Sequence, residues 1–152
     1  MNLLQISNFD ELKKFVGKEA AVSPWVLVSQ EMINNFAKVS GDHQWIHLDE
    51  ERAKKDSPYG MTIAHGFLTL SLLTKLSNEV IIFKTKRMGV NYGFDYVRFT
   101  GPVMANSQIR AKFFLKKLKE INEGVQIFWQ VTVETIKVEK PVLIANWITR
   151  QY

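Results

Sequence analysis

The 152-residue chain contains no cysteine, which excludes a disulfide framework, a thiolate zinc site and a cysteine nucleophile. Long apolar runs are missing too. The greasiest stretch, Phe67 to Leu76, is broken by Thr69, Ser71, Thr74 and Lys75, and falls well short of the roughly 18 consecutive apolar residues that suggest a membrane span. Met1 to Ser7 carries neither a basic start nor a long apolar segment, so a cleaved export signal is not expected. Internal repeats, low-complexity tracts and Pro/Gly/Ser linkers are also lacking. The expectation is one domain over residues 1–152, soluble and cytoplasmic. Histidine is scarce, with three copies in the whole chain.

What is present is ordinary for a globular protein, with 46% hydrophobic and 23% charged residues. Ten Phe and four Trp favour a large packed core. The net charge of +5 suits nucleic acid, an anionic membrane or a small polyanionic ligand. The basic clusters, Lys54-Lys55, Lys84-Thr85-Lys86-Arg87 and Lys116-Lys117-Leu118-Lys119, are short and match no nucleic-acid motif. Neither a nucleic-acid nor a membrane partner is expected.

Periodicity outlines the architecture. Asp10 to Val16 predicts a short amphipathic helix stopped by Gly17. Ala20 to Val28 is apolar but carries Pro24, which demotes it to an edge or irregular strand. Ser29 fits an N-cap, the stripe Met32, Ile33, Phe36, Ala37 and Val39 a helix, and Gly41 its end. Asp49 is placed to cap a further short helix through Ala53, and Pro58-Tyr59-Gly60 marks a turn. Thr62 to about Val80 predicts the strongest helix, apolar on most sides. The second half alternates. Ile109 to Leu115 and Val125 to Val133 read as half-buried strands joined by a turn at Asn122-Glu123-Gly124. Val90 to Phe99 and Val142 to Thr149 supply two more strands. One greasy helix with long antiparallel strands implies an α+β layer, the sheet curled around the helix.

All three histidines fall within Ser40-Gly41-Asp42-His43-Gln44-Trp45-Ile46-His47 and Ala64-His65-Gly66. Asp42 and His47 are five residues apart. That spacing separates them by about 140° on a helix and puts them on opposite faces of a strand, so they converge only where the chain leaves regular structure. Gly41 provides the means. Two readings stand: a carboxylate and an imidazole aimed at one water as a general acid–base pair, or Asp42 capping a turn and His47 bonded to backbone in the core. Gly66 also has two. A helix starting near Thr62 leaves its first N–H groups unpaired beside the positive dipole end, and a residue without a side chain lets a substrate carbonyl approach that amide as an oxyanion donor. Equally, Gly66 permits tight packing of helix on sheet. His65 reads as a substrate contact or a structural residue. A metal shell of His43 and His47 at i, i+4 with Asp42 and His65 is the rival arrangement. Gly41 and Trp45 suit a helix poorly and no His-Glu-x-x-His pattern exists, so no metal is expected.

Ser40 to His47, together with Thr62-Ile63-Ala64-His65-Gly66 and Asn91-Tyr92-Gly93, resembles the MaoC-like dehydratases, in the nodulation-protein-N-like and single-domain (R)-specific enoyl-CoA hydratase branch. The resemblance runs from about Ser29 to Pro102. Most of the family carries Asn-Pro where this chain has Gln44-Trp45; the nodulation-protein-N-like branch carries Gln-Trp. The resemblance implies a hot-dog fold, a long central helix wrapped by a curved antiparallel sheet, assembled as a homodimer. It implies reversible addition of water across a trans-2-enoyl thioester to give the (3R)-3-hydroxyacyl thioester. Asp42 and His47 would hold the water and the Gly66 N–H would polarise the thioester carbonyl. Gln44 would orient the dyad or the acyl chain, and His65, Asn91 and Arg98 are candidate substrate contacts. Asn91 fits a turn cap equally well, and Arg98 a solvated residue at a strand end. The substrate would be an acyl-coenzyme A or acyl-carrier-protein thioester, with no cofactor, and the basic surface would answer coenzyme A phosphates. A hot-dog acyl-CoA thioesterase and a non-catalytic acyl-CoA-binding module are the alternatives on the same fold.

Overall fold

A computed structural model of the chain describes residues 3–85, 87–136 and 138–152. The elements are β1 (Leu4–Ile6), α1 (Phe9–Lys13), β2 (Lys18–Val22), β3 (Val26–Val28), α2 (Gln30–Ser40), α3 (Trp45–Leu48), α4 (Glu50–Asp56), α5 (Gly66–Ser71), α6 (Leu73–Asn78), β4 (Ile81–Phe83), β5 (Gly89–Phe99), β6 (Ser107–Ile121), β7 (Gly124–Thr135) and β8 (Leu143–Gln151). The described residues form a six-stranded antiparallel sheet in the order β2-β6-β7-β8-β5, with β3 sharing the β6 edge with β2. Pro24 lies in the gap between β2 and β3, where a residue without an N–H interrupts the ladder. A parallel pair, β1 with β4, closes one end.

Local chemistry sets most boundaries. Ser29 Oγ accepts from the Met32 amide at 3.1 Å and Asp49 Oδ1 from the Arg52 amide at 2.9 Å, so each caps its helix. Gly41 ends α2 in the left-handed region at φ 76°. β6 and β7 are joined by a tight turn with Glu123 at φ 58°, where the positive-φ corner falls on a glutamate rather than on Gly124.

Two expectations about the helices need correction. The first helix is Phe9–Lys13, capped by Asn8, and ends before Val16. The long helix predicted from Thr62 starts at Gly66 and flattens at Leu72, where ψ is −12°, so it runs as α5 and then α6. The cause is competition for backbone groups. The Ala64 amide donates to Val103 (2.7 Å) and the Ala105 amide to Thr62 (2.9 Å) in a strand-like bridge, and His47 Nδ1 takes the Ile63 carbonyl, so the Thr62 and Ile63 carbonyls are committed outside any helix. Nor is the helix buried all round: Leu68, Leu73 and Leu76 face the core while Phe67 is 68% exposed.

The core lies between α5–α6 and the concave face of the sheet. Ile109, Ala111, Phe113 and Leu115 of β6 alternate inward with Ile127, Trp129, Val131 and Val133 of β7 and Leu143, Ala145 and Trp147 of β8. Phe113 meets Trp129 edge-to-face at 6.3 Å. On the solvent face, Glu134 is bridged by Lys112 at 2.9 Å and by Arg110. Burial pushes its carboxyl upward, but the two cations prevail and hold it below the ordinary carboxylate value. No helix among the described residues is long and apolar enough to cross a membrane.

Candidate active site

The site forms where the chain leaves α2. Beyond Gly41 the backbone is irregular through Gln44, and Asp42 Oδ1 accepts from the Gln44 amide at 3.3 Å. Gln44 then opens the single turn α3, its carbonyl accepting from the His47 amide at 3.0 Å. This turn carries the imidazole back toward Asp42, the convergence that five residues of regular structure would forbid. Gln30, at the start of α2, braces the arrangement. Its Nε2 donates to the His47 carbonyl at 2.7 Å and its Oε1 accepts from the Thr62 hydroxyl. Nothing in the sequence pattern singles out Gln30.

His47 is 5% exposed. Its Nδ1 lies 2.7 Å from the Ile63 carbonyl; a carbonyl only accepts, so Nδ1 carries the proton and Nε2 keeps a free lone pair. Burial holds the imidazole below its usual value of 6.5, with His65 nearby adding to the effect and the Ile63 carbonyl and Asp42 opposing it. A neutral base is the result. His65 uses Nε2–H to hold the Asp42 backbone carbonyl at 3.0 Å, and its buried Nδ1 has no partner among the described residues. The two imidazoles stack at 3.8 Å between centroids, and the Phe36 ring lies 5.1 Å from that of His65 at a tilt.

Asp42 is exposed, and one carboxylate oxygen together with one ring nitrogen each of His47 and His65 lie within 4.8 Å of one another. Among the described residues these three form the group dense enough to hold a cation. The two imidazole rings face each other with an interplanar angle of 27°. His43 lies outside α3 and is exposed, so the i, i+4 pair of His43 and His47 on one helix does not form.

Gly66 is the first residue of α5, and its N–H has no intrahelical carbonyl to bond. It shares a cleft of about 280 Å³ with His47, Tyr59, Thr69, Phe99 and Val142. A Cβ built on Gly66 would sit 2.9 Å from Phe99 Cγ, so the glycine serves close packing at the same time as it keeps its amide bare. Phe99 and Tyr59, which complete the walls, gave no signal in the sequence. Of the other candidates, Gln44 is exposed and engages Asp42 and His47 through its backbone. Asn91 donates to Thr74 Oγ1 at 3.3 Å in a different hollow, and Arg98 is exposed on β5 opposite Ile144. Asp42, His47 and His65 thus lie together, and His47 shares the cleft with Gly66, whereas Asp42, Gln44, His65, Asn91 and Arg98 do not line it.

A buried histidine beside a carboxylate, with the histidine opening onto a cleft at a helix N-terminus, is an arrangement chemically suited to proton transfer. Comparison with known proteins gives the class. The model of the MaoC like domain matches residues 11–139. The chain is 41% identical to nodulation protein N of Rhizobium meliloti, over 93% of this chain and 89% of that protein. It is likewise 41% identical to 3-hydroxyacyl-thioester dehydratase Z of Mycobacterium tuberculosis, over 92% of this chain and 93% of that one. The X-ray structure of monoamine oxidase regulatory protein from Archaeoglobus fulgius superposes with a TM-score of 0.80 at 23% identity, covering 99% and 97% of the two chains. The chain belongs to the MaoC-like dehydratase family, in the branch that includes nodulation protein N. Its α+β architecture is the hot-dog fold, and its class of enzyme is the hydro-lyases.

Proposed function

We propose that this protein adds water reversibly across trans-2-enoyl thioesters to give (3R)-3-hydroxyacyl thioesters. The observation that carries the reading is the His47 tautomer: with Nδ1 committed to Ile63, the neutral Nε2 is left to work with the Asp42 carboxylate. Water held between them attacks C3 as the pair takes one of its protons; a proton then returns to C2, so that H and OH add across the double bond with nothing left over. The Gly66 N–H stabilises the enolate oxygen that forms on the thioester in between. Acid–base chemistry of this kind calls for no cofactor and no metal beyond the thioester itself. The 41% identical relative named as a 3-hydroxyacyl-thioester dehydratase supports the substrate class. The net charge of +5 favours the phosphates of coenzyme A, or of a carrier protein's phosphopantetheine arm, in a cytoplasmic setting.

A homodimer is part of the same reading. Among the described residues β5 ends the sheet with an unpaired edge, and it exposes Val90, Tyr92, Phe94, Tyr96 and Phe99, a long apolar edge strand of the kind that a second copy covers. Sedimentation at micromolar concentration should show two chains.

The test is loss of enoyl absorbance with crotonyl-CoA, followed by chiral analysis of the product. Hydration to the R product supports the proposal. Release of free coenzyme A without loss of the enoyl group would make the protein a thioesterase, and tight acyl-CoA binding with no chemistry would make it a binding module.

A further inference from the structure

The concave face of the sheet changes chemistry along the central helix. Beside the cleft it is apolar, with the buried Leu143 and Ala145 of β8 opposite Phe99 and Val97 of β5. Beyond Trp147 the same face becomes polar. Thr149 and Gln151 of β8 point inward, Asn91 of β5 stands opposite Thr149, and Thr74, Ser77 and Asn78 face them from α6. Alternation alone would have made these inward positions apolar.

These residues wall a hollow of about 200 Å³. Trp147 and Gln151 are 5% and 8% exposed, yet Trp147 Nε1 and Gln151 Oε1 have no hydrogen-bond partner among the described residues. The second is accommodated only because residue 89 lacks a side chain: a Cβ on Gly89 would lie 2.9 Å from Gln151 Oε1. A buried donor and a buried acceptor left unpaired favour any ligand that supplies their partners. A further hollow, bounded by Leu70, Leu73 and Phe94, shares Thr74, Asn91 and Trp147 with this one. It lies along the same seam between helix and β5 as the cleft at Gly66. From Gly66 to Thr74 the helix rises about 12 Å, the span of an extended decanoyl chain.

We infer that the acyl chain lies along this seam and bears a hydroxyl group near its distal end, which accepts from Trp147 Nε1–H or donates to Gln151 Oε1. The substrate class is therefore an enoyl thioester oxygenated far from the reacting double bond, an inference that rests on the hydration reading above. A site that hydrogen-bonds a substrate hydroxyl discriminates against the analogue lacking it, because its own polar groups then stay unpaired.

The experiment compares trans-2-decenoyl-CoA with the same chain hydroxylated on its terminal carbon. The wild-type protein should favour the hydroxylated substrate in kcat/KM by about tenfold or more. Trp147→Phe, which keeps the ring and removes the N–H, and Gln151→Leu should each reduce that ratio, the double variant bringing it near one. Melting curves establish that the variants are folded. Equal rates on both substrates, or a preference for the plain chain, would overturn the inference and leave the hollow to buried water. A ratio unchanged in the double variant would overturn it too. Tryptophan fluorescence with the two saturated decanoyl-CoA analogues separates this question from catalysis. Tighter binding of the hydroxylated analogue in a protein that hydrates no enoyl-CoA keeps the specificity inference and removes the hydratase reading.

Discussion

Replacing Gly66 by alanine sets stability against activity. The new Cβ would stand 2.9 Å from Phe99 Cγ and 3.0 Å from both Cδ atoms, where ordinary contact begins at 3.4 Å. The ring must therefore give by about half an ångström. Phe99 is 44% exposed and can swing, at a cost of roughly 0.5–1.5 kcal/mol if it leaves its rotamer well. Alanine in place of glycine favours the helix by up to about 1 kcal/mol. The two effects nearly offset, so the melting temperature should move by only a few degrees. Activity should not be spared. The methyl group covers the approach to the Gly66 amide and drives Phe99 into the cleft shared with His47. The expected loss in crotonyl-CoA hydration approaches the roughly hundredfold seen when one oxyanion donor is deleted, expressed chiefly in kcat. Wild-type kcat at an unchanged melting temperature would refute the oxyanion assignment and leave Gly66 as a packing residue. So would a large stability loss with full activity per folded molecule.

The surroundings of His47 set a pH dependence. Because burial holds the imidazole below 6.5, the acid limb of kcat/KM should fall below pH 6.5. The neutral form is the one the fold prefers, so the stability His47 contributes is present above that pH and is lost as pH drops through its folded-state value; a limb above pH 6.5 would contradict this. His65→Phe keeps a ring against Phe36 and His47 but deletes the 3.0 Å bond to the Asp42 carbonyl. Losing about 1 kcal/mol of positioning, it should reduce kcat by several-fold with KM within twofold, as steady-state kinetics would show. Phe113→Ala, emptying a fully buried site against Trp129, should cost about 3–5 kcal/mol in urea unfolding.

Much of this site was legible in one short window, because an aspartate, a histidine five residues on and a glycine between helices constrain each other physically. The caps at Ser29 and Asp49 and the alternation in β6 and β7 were legible for the same reason: each is decided locally. The helix start was not. Ile63 fits an apolar helical stripe as well as it fits a bridge to Met104, and only the distant segment 103–105 decides between them. Asn91 was open to more than one reading for a related cause. β5 is bulged between Asn91 and Gly93 and again between Phe94 and Tyr96, which breaks the two-residue period by which a face is read. Gln30, Tyr59 and Phe99 reach the site through long-range packing, which leaves no trace in spacing.

The central claim is that Asp42 and His47 act on one water. Asp42→Asn and His47→Gln preserve size and most hydrogen bonds, so both proteins should melt close to the wild type. Crotonyl-CoA hydration should fall by about 10²-fold or more in each, and the double variant should be little worse than the worse single one, as expected of groups that work as a unit. Near-normal turnover in either folded single variant would contradict the account.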